Sequence, residues 1–459
     1  MGVKQELAEE IHEASFALLD DPGVRIEHDG IYDALMRAGA KPGGDAQVVR
    51  FPRELVMDCV GQAPSKVFFA DRDTGGYQIG AEEEPRIWSI PGLNWQHRNA
   101  HRPFRSEDMA NWARLMTQLD TVDAVFGVAM DDVPPPARDV VGLRVMAEHT
   151  NKHVRVLSFS PEGAEAICNM RDVVGDKSWF SVGFTAHGPL RWTNLALSIF
   201  EKTSGRGIPA TVNGEPMAGT SGPTTLAGAA AVGNAEILSG LAVNQILEPG
   251  RPCVYNLGLA HVFDMKTGIA VTGAPENHLL ADVSAAMGRF YNLPSCSWVS
   301  TESMAPDGQA ALEKGVGFLT HLNSGVHLIW GLGQLESELT LSPAQAVIDN
   351  EIVGYVRRYL RGVEVTPETL AVDVTRDVGI AGSFLDADHT FAHFRTEFFE
   401  PSLLFRKKRP YWNDAGRPTL GDAAEDVAEE LMKKEMQPVL SEEQLEGLLE
   451  IERGFLDRI

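Results

Sequence analysis

The feature of this sequence that most constrains its fold is a regular alternation of short apolar runs and amphipathic stretches, beginning near Arg86. Short apolar runs predict strands, and apolar residues recurring every three or four positions predict helices. The predicted strands span 87–94, 124–129, 153–159, 179–185, 208–212, 253–257, 295–300 and 326–330. The predicted helices span 106–118, 137–150, 161–174, 192–204, 224–247, 276–291, 308–323 and 344–360. One uninterrupted series of eight pairs favours an α/β fold of the (β/α)8 TIM barrel type over a doubly wound sheet.

The regions outside this series predict two additions to the barrel. Residues 1–80 alternate helical patterns with polar turns, which indicates an α-rich N-terminal subdomain. The barrel is expected over 81–360, and residues 361–459 are expected to form a C-terminal cap and helical tail. The acidic tail from Gly421 is expected to end in a solvated helix.

Charge and cysteine usage exclude several classes of partner. The net charge is −24, so neither nucleic acid nor an acidic membrane surface is an expected partner, and cations are favoured. The four cysteines are scattered without a CxxC pair, and the N-terminus has a charged, helical pattern rather than that of a secretory leader. These features predict reduced thiols and a cytoplasmic location. The longest uncharged spans, 216–235 and 315–335, contain too many Gly, Thr, Asn and His residues for membrane helices.

Residues 208–250 have the pattern of a strand, a long loop and a helix. The loop is rich in Gly and hydroxyl groups and begins with Asn213 and Glu215, so it offers both conformational freedom and polar groups. Glu236 falls on the small-residue side of the helix, close to the sheet. It is predicted to be a structural carboxylate, either on a solvated face or as a buried, hydrogen-bonded anchor.

Reactive groups in a barrel come from the carboxyl ends of the strands and the loops beyond them. Aromatic, carboxylate and amide side chains occur there, among them Trp95, Asp131, Asn213, Tyr255, Glu302 and Trp330. Aromatic faces and anions together favour a desolvated ammonium group. No nucleotide-binding glycine motif, GxSxG motif or activated thiol stands out, so no catalytic nucleophile is assigned.

His389, His393 and Glu397 are spaced to share one face of a helix. The HTFAH motif lacks the internal Glu of zinc peptidases, and no metal site is predicted. The alternatives are a packed helix with His389 near its start, or His389 reaching from the cap into the barrel mouth.

Several motifs, in a joint order that spans nearly the whole chain, resemble the trimethylamine methyltransferase (MttB) superfamily in its pyrrolysine-lacking branch. They are IHEASFALLDDPGVRI near the N-terminus, GTSGPTTLAG with GNAE and EPG, TGAPENHLLA, AVIDNEIVGYVRRYLRGVEV and HTFAHFRTEFFEP. The resemblance implies a (β/α)8 enzyme that passes a methyl group from a small quaternary amine such as glycine betaine to the cob(I)alamin of a separate corrinoid protein. It implies no cofactor held tightly by this chain, and relatives suggest a homo-oligomer.

A quaternary ammonium departs as a neutral amine and needs no general acid, so the chemistry asks mainly for positioning and desolvation. We therefore expect a cage of Trp95, Trp330 and Tyr255. Asp131 and Glu302 are expected to complement the positive charge, and Asn213 and His389 to contact the substrate's polar end. The run LIWGLGQLESELTLS has Trp330 where many relatives have His, which leaves betaine, another quaternary amine or a sulfonium compound open.

Two other functions remain possible at this stage. One is a barrel methyltransferase with a folate or thiol acceptor, although a thiol acceptor usually brings a zinc site that the cysteine spacing does not provide. The other is a non-catalytic protein that binds or senses quaternary ammonium compounds. The enzyme hypothesis requires a dry, electron-rich hollow at the barrel mouth, not one plugged by side chains or lined with Lys and Arg.

Overall fold

The computed structural model of the protein describes residues 5–72, 74–98, 100–175 and 178–459. Up to residue 80 the described chain combines helices with short strands: α1 (Gln5–Asp20), β1 (Val24–Ile26), α2 (Asp29–Arg37), β2 (Lys41–Pro42), β3 (Val48–Arg50), α3 (Arg53–Gln62), β4 (Lys66–Phe69) and β5 (Tyr77–Gly80). β4 and β5 form an antiparallel hairpin.

The next part of the chain forms a closed barrel. Its elements are β6 (Arg86–Ser89), β7 (Asn94–His97), β8 (Ala100–Pro103), α4 (Ser106–Gln118), β9 (Ala124–Phe126), α5 (Arg138–His149), β10 (His153–Arg155), α6 (Pro161–Val174), β11 (Phe180–Thr185), β12 (Arg191–Trp192), α7 (Asn194–Thr203), β13 (Ala210–Asn213), β14 (Met217–Ala218), α8 (Leu226–Leu247), β15 (Cys253–Gly258), β16 (His261–Asp264), β17 (Ile269–Val271), α9 (Pro275–Phe290), β18 (Ser295–Trp298), α10 (Gly308–Ser324), β19 (Leu328–Leu332), β20 (Gln334–Leu335), β21 (Thr340–Leu341) and α11 (Pro343–Leu360). The barrel order is β6, β9, β10, β11, β13, β15, β18 and β19, with all neighbouring pairs parallel. β19 closes the ring on β6, with Ile329 opposite Ile87. The predicted (β/α)8 barrel is confirmed.

Local capping explains why the helices begin where the sequence pattern predicts. The Ser160 hydroxyl accepts from the Gly163 N–H at the start of α6, and the Asp307 carboxylate accepts from two N–H groups at the start of α10. α11 is capped in the same way by Ser342. Each cap satisfies backbone donors that lack a partner within the helix.

The helix α8 is the central element of the helix layer. It is long and apolar enough to cross a membrane by length and composition, but most of it is buried inside the fold. The N-terminal helices cover its outer face, and the Ser15 hydroxyl donates to the Ala231 carbonyl. β1 also pairs with β12 of the barrel region. The N-terminal region is thus joined to the barrel by a shared sheet, and the division at residue 80 stays a prediction.

The C-terminal part consists of α12 (Pro367–Leu370), α13 (Val372–Val378), α14 (Asp388–Glu397), α15 (Arg409–Asp414), α16 (Leu420–Lys433) and α17 (Glu442–Leu456). The predicted solvated tail is wrong in part. α16 and α17 bury Ala424, Ala428, Leu448 and Phe455, and Arg144 on α5 binds Glu452 on α17 at 2.7 Å. Their amphipathic pattern gives each helix an apolar side that packs on the barrel's helices.

Candidate functional site

The amino-terminal end of the barrel is closed by the β4–β5 hairpin. The Trp88 indole N–H donates to the Tyr77 hydroxyl at 2.7 Å, and the Phe69 ring packs on Trp88 and His153. His153 also bonds the Ala70 carbonyl through Nδ1, and burial lowers its pKa to about 3. Within the described part of the chain these contacts fill the bottom of the barrel, which leaves the carboxyl ends of the strands as the side open to a ligand.

The middle of the barrel is packed around Arg155. Its guanidinium carbon lies 5.2 Å from the Phe126 ring centre and 5.9 Å from that of Trp330, and Trp330 stacks on Trp88 at 6.3 Å. Burial lowers the pKa of Arg155 to about 9, and no carboxylate among the described residues pairs with it. The expectation that Trp330 lines an open cage is therefore wrong: the indole is 3% exposed and belongs to a packed layer that also holds a cation.

Above this layer, amide side chains line the carboxyl ends of the strands. The Asn256 amide donates to the Asn213 side-chain oxygen at 2.9 Å, and the Asn213 amide donates to the Thr185 hydroxyl at 3.0 Å. On the other side, the Gln334 side-chain oxygen accepts from the Trp298 indole at 2.8 Å and from Ser300. This fixes the orientation of Gln334, whose buried Nε2 has no partner in the described protein. Gln334 is absent from the sequence-based site, although its place directly after the eighth barrel strand is a signal that could have identified it.

Three carboxylates gather at the mouth, and no cationic side chain among the described residues pairs with them. Glu236 is fully buried, and its Oε1 accepts from the Leu190 N–H at 2.9 Å while Oε2 has no partner in the described protein. Burial raises its pKa to about 7. Burial and the nearby charges of Glu338 and Glu236 raise the pKa of Glu215 to about 8. Of the two alternatives given for Glu236, a solvated face or a buried anchor, the structure has the carboxylate buried with one hydrogen bond from a backbone N–H. Its second oxygen has no partner among the described residues, and a purely structural role does not account for that oxygen.

The turn that carries Glu338 has an unusual backbone. Glu336, Ser337 and Glu338 are consecutive residues with φ of 56°, 50° and 83°, a region that costs L-residues about 1 to 2 kcal/mol each. Glu302 stabilises this turn through hydrogen bonds. Its carboxylate accepts from Ser337 Oγ at 3.1 Å and from the backbone N–H groups of Thr272 and Gly273. Glu302 therefore positions two mouth loops, and these bonds already occupy the carboxylate that we expected to face a ligand's charge.

The remaining predicted site residues are dispersed. Tyr255 faces the helix layer, where its hydroxyl donates to Asn234 on α8 at 2.9 Å, because the adjacent Asn256 occupies the inward position. Trp95 packs on Phe104 and Trp112, and Asp131 is exposed on the loop after β9. The three-membered cage of Trp95, Trp330 and Tyr255 is wrong, since the three rings lie in different layers.

The three residues at helical spacing on α14 are also engaged elsewhere. His389 Nε2 lies 3.2 Å from the Glu368 carbonyl, His393 binds the Glu368 carboxylate at 3.3 Å, and Glu397 binds Arg358 at 2.8 Å. These partners lie on the C-terminal segment itself and on α11, so the interpretation that His389 reaches into the mouth has no contact to support it. Among the described residues, no group of three or more His, Cys, Asp or Glu side chains is arranged to hold a metal ion.

Exposed apolar side chains lie along one half of the mouth, beyond the neighbouring strands β15, β18, β19 and β6. Loops after four different barrel strands carry them: Leu93, Met265, Ile269, Met304 and Leu339. Since all of these loops leave the carboxyl ends of parallel strands, they lie on the same face of the barrel. Together these side chains form an exposed apolar rim.

Comparisons with known proteins give one consistent result. The chain is 32% identical over 433 residues to the trimethylamine methyltransferase MttB of Desulfitobacterium hafniense (strain DSM 10664 / DCB-2), covering 90% of this chain and 86% of that protein. It is 26% identical to the glycine betaine methyltransferase of Desulfitobacterium hafniense (strain Y51), covering 89% and 87%. The crystal structure of the Methanosarcina barkeri monomethylamine methyltransferase MtmB has the same fold, with a TM-score of 0.57 at 14% identity over 94% of this chain and 88% of that one. The family model described as trimethylamine methyltransferase (MTTB) matches residues 2–453, and the chain belongs to this family.

Proposed function

We propose that this protein transfers a methyl group from a small quaternary amine, betaine-like in size, to the Co(I) corrinoid of a partner protein in the cytoplasm. Family membership supports methyl transfer, and the relatives named for trimethylamine and glycine betaine support a methylated amine as the donor. The corrinoid acts as a second substrate carried by its own protein and supplies the nucleophile for the methyl group.

The observation that carries this proposal is the group of mouth carboxylates. The Glu215 carboxylate makes no hydrogen bond or ion pair with the described residues, and the Glu236 carboxylate, near the Glu215 backbone N–H, keeps Oε2 unpaired there. At about 5 Å and an effective dielectric constant of about 20, one carboxylate attracts an ammonium group by about 3 kcal/mol. A quaternary ammonium cannot donate a hydrogen bond, so it needs charge and apolar contact rather than paired acceptors, and the mouth offers both.

The polar end of the substrate is assigned to Gln334. Its oxygen is held by Trp298 and Ser300, which leaves the Nε2 donor free to bond a carboxylate or hydroxyl of the substrate. Asn213 stays a proposed neighbour of this end, although two hydrogen bonds already hold its side chain. The leaving amine is neutral, and none of these residues has to deliver a proton to it.

The exposed apolar rim is the proposed docking surface for the corrinoid protein. Met265 and Ile269 project from the β16–β17 hairpin, and Met304 and Leu339 lie on the loops after β18 and β20. Methionine is flexible and suits a surface that binds and releases a partner. Such docking would exclude water from the mouth and strengthen the attraction between the carboxylates and the cation.

A ligand pair tests the charge requirement. Calorimetric titration with choline and with its neutral carbon isostere, 3,3-dimethylbutan-1-ol, is expected to give binding of choline only. The same comparison uses glycine betaine and 3,3-dimethylbutanoate. Equal affinity within both pairs would exclude a site built on the carboxylates.

Transfer itself is tested by incubating the protein with each quaternary amine and Co(I) cobalamin and following the absorbance of Co(I). We expect Co(I) to be consumed with at least one amine, faster for wild type than for Glu215→Gln. The matched control is Glu54→Gln, which removes an exposed carboxylate on α3. Binding without consumption of Co(I), with the cognate corrinoid protein also present, would favour a sensing protein and refute the transferase.

A further inference from the structure

The end of β19, which leads directly to Gln334, departs from regular strand geometry. Between Ile329 and Leu332 the strand advances by three residues while its partner β6 advances by two, so β19 contains a β-bulge. Gly331 and Gly333 have φ of 122° and 87°, in the region that favours glycine. A bulge changes the direction of the chain that follows it. The position of the Gln334 backbone is therefore set at this bulge.

A buried ion pair holds both sides of the bulge. Lys314 on α10 donates from Nζ to the Gly331 carbonyl at 2.6 Å and to Asp349 on α11 at 2.9 Å. The same carboxylate oxygen of Asp349 accepts from the Gly333 N–H at 2.7 Å. Both side chains are fully buried. The pair thus binds one backbone acceptor and one backbone donor, two residues apart, immediately before Gln334.

The carboxylate of this pair is itself held by its own helix. Gln345, one turn earlier on α11, donates from Nε2 to the other oxygen of Asp349 at 2.7 Å. At the start of the same helix, the Ser342 N–H donates to the Gly333 carbonyl at 2.9 Å. The helix α11 therefore binds Gly333 through both its N–H and its carbonyl group.

Stability alone does not account for an ion pair in this place. Removing two charges from water costs free energy, and an apolar pair of similar volume is often as stable or more stable. A buried, hydrogen-bonded ion pair can instead select one geometry, because few arrangements satisfy the ammonium and the carboxylate together. Here the selected geometry is that of the segment leading to Gln334.

We propose that Lys314 and Asp349 are positioning residues of the substrate site. They hold the bulge and with it the backbone of Gln334, while Trp298 and Ser300 fix the oxygen of the Gln334 side chain. Neither Lys314 nor Asp349 has to touch the ligand. This inference rests on the proposed function, in which the Gln334 Nε2 donor binds the polar end of the amine.

The test uses a variant that keeps the fold and removes the ion-pair geometry. Lys314→Met/Asp349→Leu fills the space with apolar side chains, and urea unfolding checks that it is folded. Calorimetric titration then compares tetramethylammonium with glycine betaine or choline, whichever of the two wild type binds more tightly. The ligand with a polar end should bind the variant about tenfold more weakly, the worth of a single hydrogen bond to a charged group. Tetramethylammonium has no polar end and should bind as it does to wild type.

Two further variants separate positioning from loss of charge. Lys314→Gln/Asp349→Asn removes both charges but keeps an amide donor and an amide acceptor for the two backbone contacts, so it should recover most of the affinity. Gln345→Met is a milder change that removes only the hydrogen bond to Asp349. It should shift the ratio of the two affinities in the same direction as the apolar pair, by a smaller factor.

A control and a double-mutant cycle test the route of the effect. Arg144→Met/Glu452→Leu replaces an ion pair between α5 and α17 and should leave the ratio of affinities unchanged. In a Gln334→Ala background, the apolar replacement of Lys314 and Asp349 should cause no further loss, because effects that act through one residue are not additive.

Hydrogen exchange gives a measurement that needs no ligand. In Lys314→Met/Asp349→Leu the Gly333 N–H loses its acceptor, so the peptide spanning 328–336 should exchange faster than in wild type. Peptides from α8 should exchange at the wild-type rate.

Unchanged exchange at the bulge in the folded apolar variant would overturn the proposal whether or not a ligand binds. An equal loss of affinity for both ligands, or no loss for either, would overturn it as well. Failure of the proposed function has a different signature. Wild type would then bind no onium ligand while the variant still exchanged faster at the bulge, which would end the role in binding and leave the structural hold on the bulge in place.

Discussion

Replacing Glu236 by Gln should stabilise the protein above neutral pH while weakening its site. The folded protein raises the pKa of Glu236 from 4.5 to about 7 because the carboxylate is buried. Between these values the folded state holds a proton that the unfolded chain has lost, so stability falls as pH rises through this window. At about 1.4 kcal/mol per pH unit, the raised pKa of Glu236 lowers the free energy of unfolding by roughly 3 kcal/mol. This loss of stability is complete above pH 7 and absent below pH 4.5.

The Gln variant removes this penalty and can keep the hydrogen bond from the Leu190 N–H through its side-chain oxygen. Unfolding entropy scales with chain length, so about 3 kcal/mol should raise Tm by about 3 °C for 459 residues. Scanning calorimetry at pH 5 and pH 8.5 measures this difference directly. The expected result is a higher Tm for Glu236→Gln at pH 8.5, and nearly equal values at pH 5.

A matched control and a ligand complete the test. Glu54→Gln removes an exposed carboxylate and should not reproduce the pH-dependent gain. Saturating tetramethylammonium should raise the Tm of wild type more than that of the variant, since a cation favours the charged carboxylate. A Tm difference of the same size at both pH values, or a lower Tm for the variant at pH 8.5, would refute the reasoning.

Three other predictions follow from the same contacts. Tetramethylammonium should bind more tightly at pH 9 than at pH 6, because the raised pKa of Glu215 keeps its carboxyl group protonated at the lower pH. Titration calorimetry should show a smaller change of affinity with pH in Glu215→Gln. Lys314→Met should lower the free energy of unfolding by about 3 to 5 kcal/mol, because it leaves Asp349, its partner at 2.9 Å, buried without a counter-ion. The double variant Lys314→Met/Asp349→Leu should recover most of this stability in urea unfolding. Glu338→Gly should gain about 1 kcal/mol of stability, since glycine adopts φ of 83° without strain, and should lose onium affinity in the same titration.

Much of the fold could be predicted because its signals are local. The helices at 106–118 and 161–174 begin and end as the apolar repeat and the capping residues indicate. The direction of side chains on the strands could not be predicted in the same way. Both faces of a barrel strand are buried, so neither Tyr255 nor Asn256 has a pattern that reveals which one points inward.

The site was harder to predict because its properties arise from distant parts of the chain. Glu215 and Glu236 are conspicuous in the sequence, but the raised pKa of Glu215 comes first from its burial in the folded chain and then from Glu338, which lies on a left-handed turn much later in the chain. Gln334 gains its role from the two donors that fix its oxygen. Propensity and spacing carry no information about such long-range partners.

The guanidinium of Arg155, which donates to the Val156 carbonyl and has no carboxylate partner among the described residues, sets the depth of the site. It lies below the mouth, desolvated and next to two aromatic rings, so its positive field is weakly screened along the barrel axis. An onium ion drawn in by the carboxylates meets increasing repulsion as it descends. Repulsion by Arg155 thus limits how deeply a cation can enter the barrel. It would keep the reactive methyl group of an onium substrate near the entrance, within reach of an acceptor too large to enter the barrel.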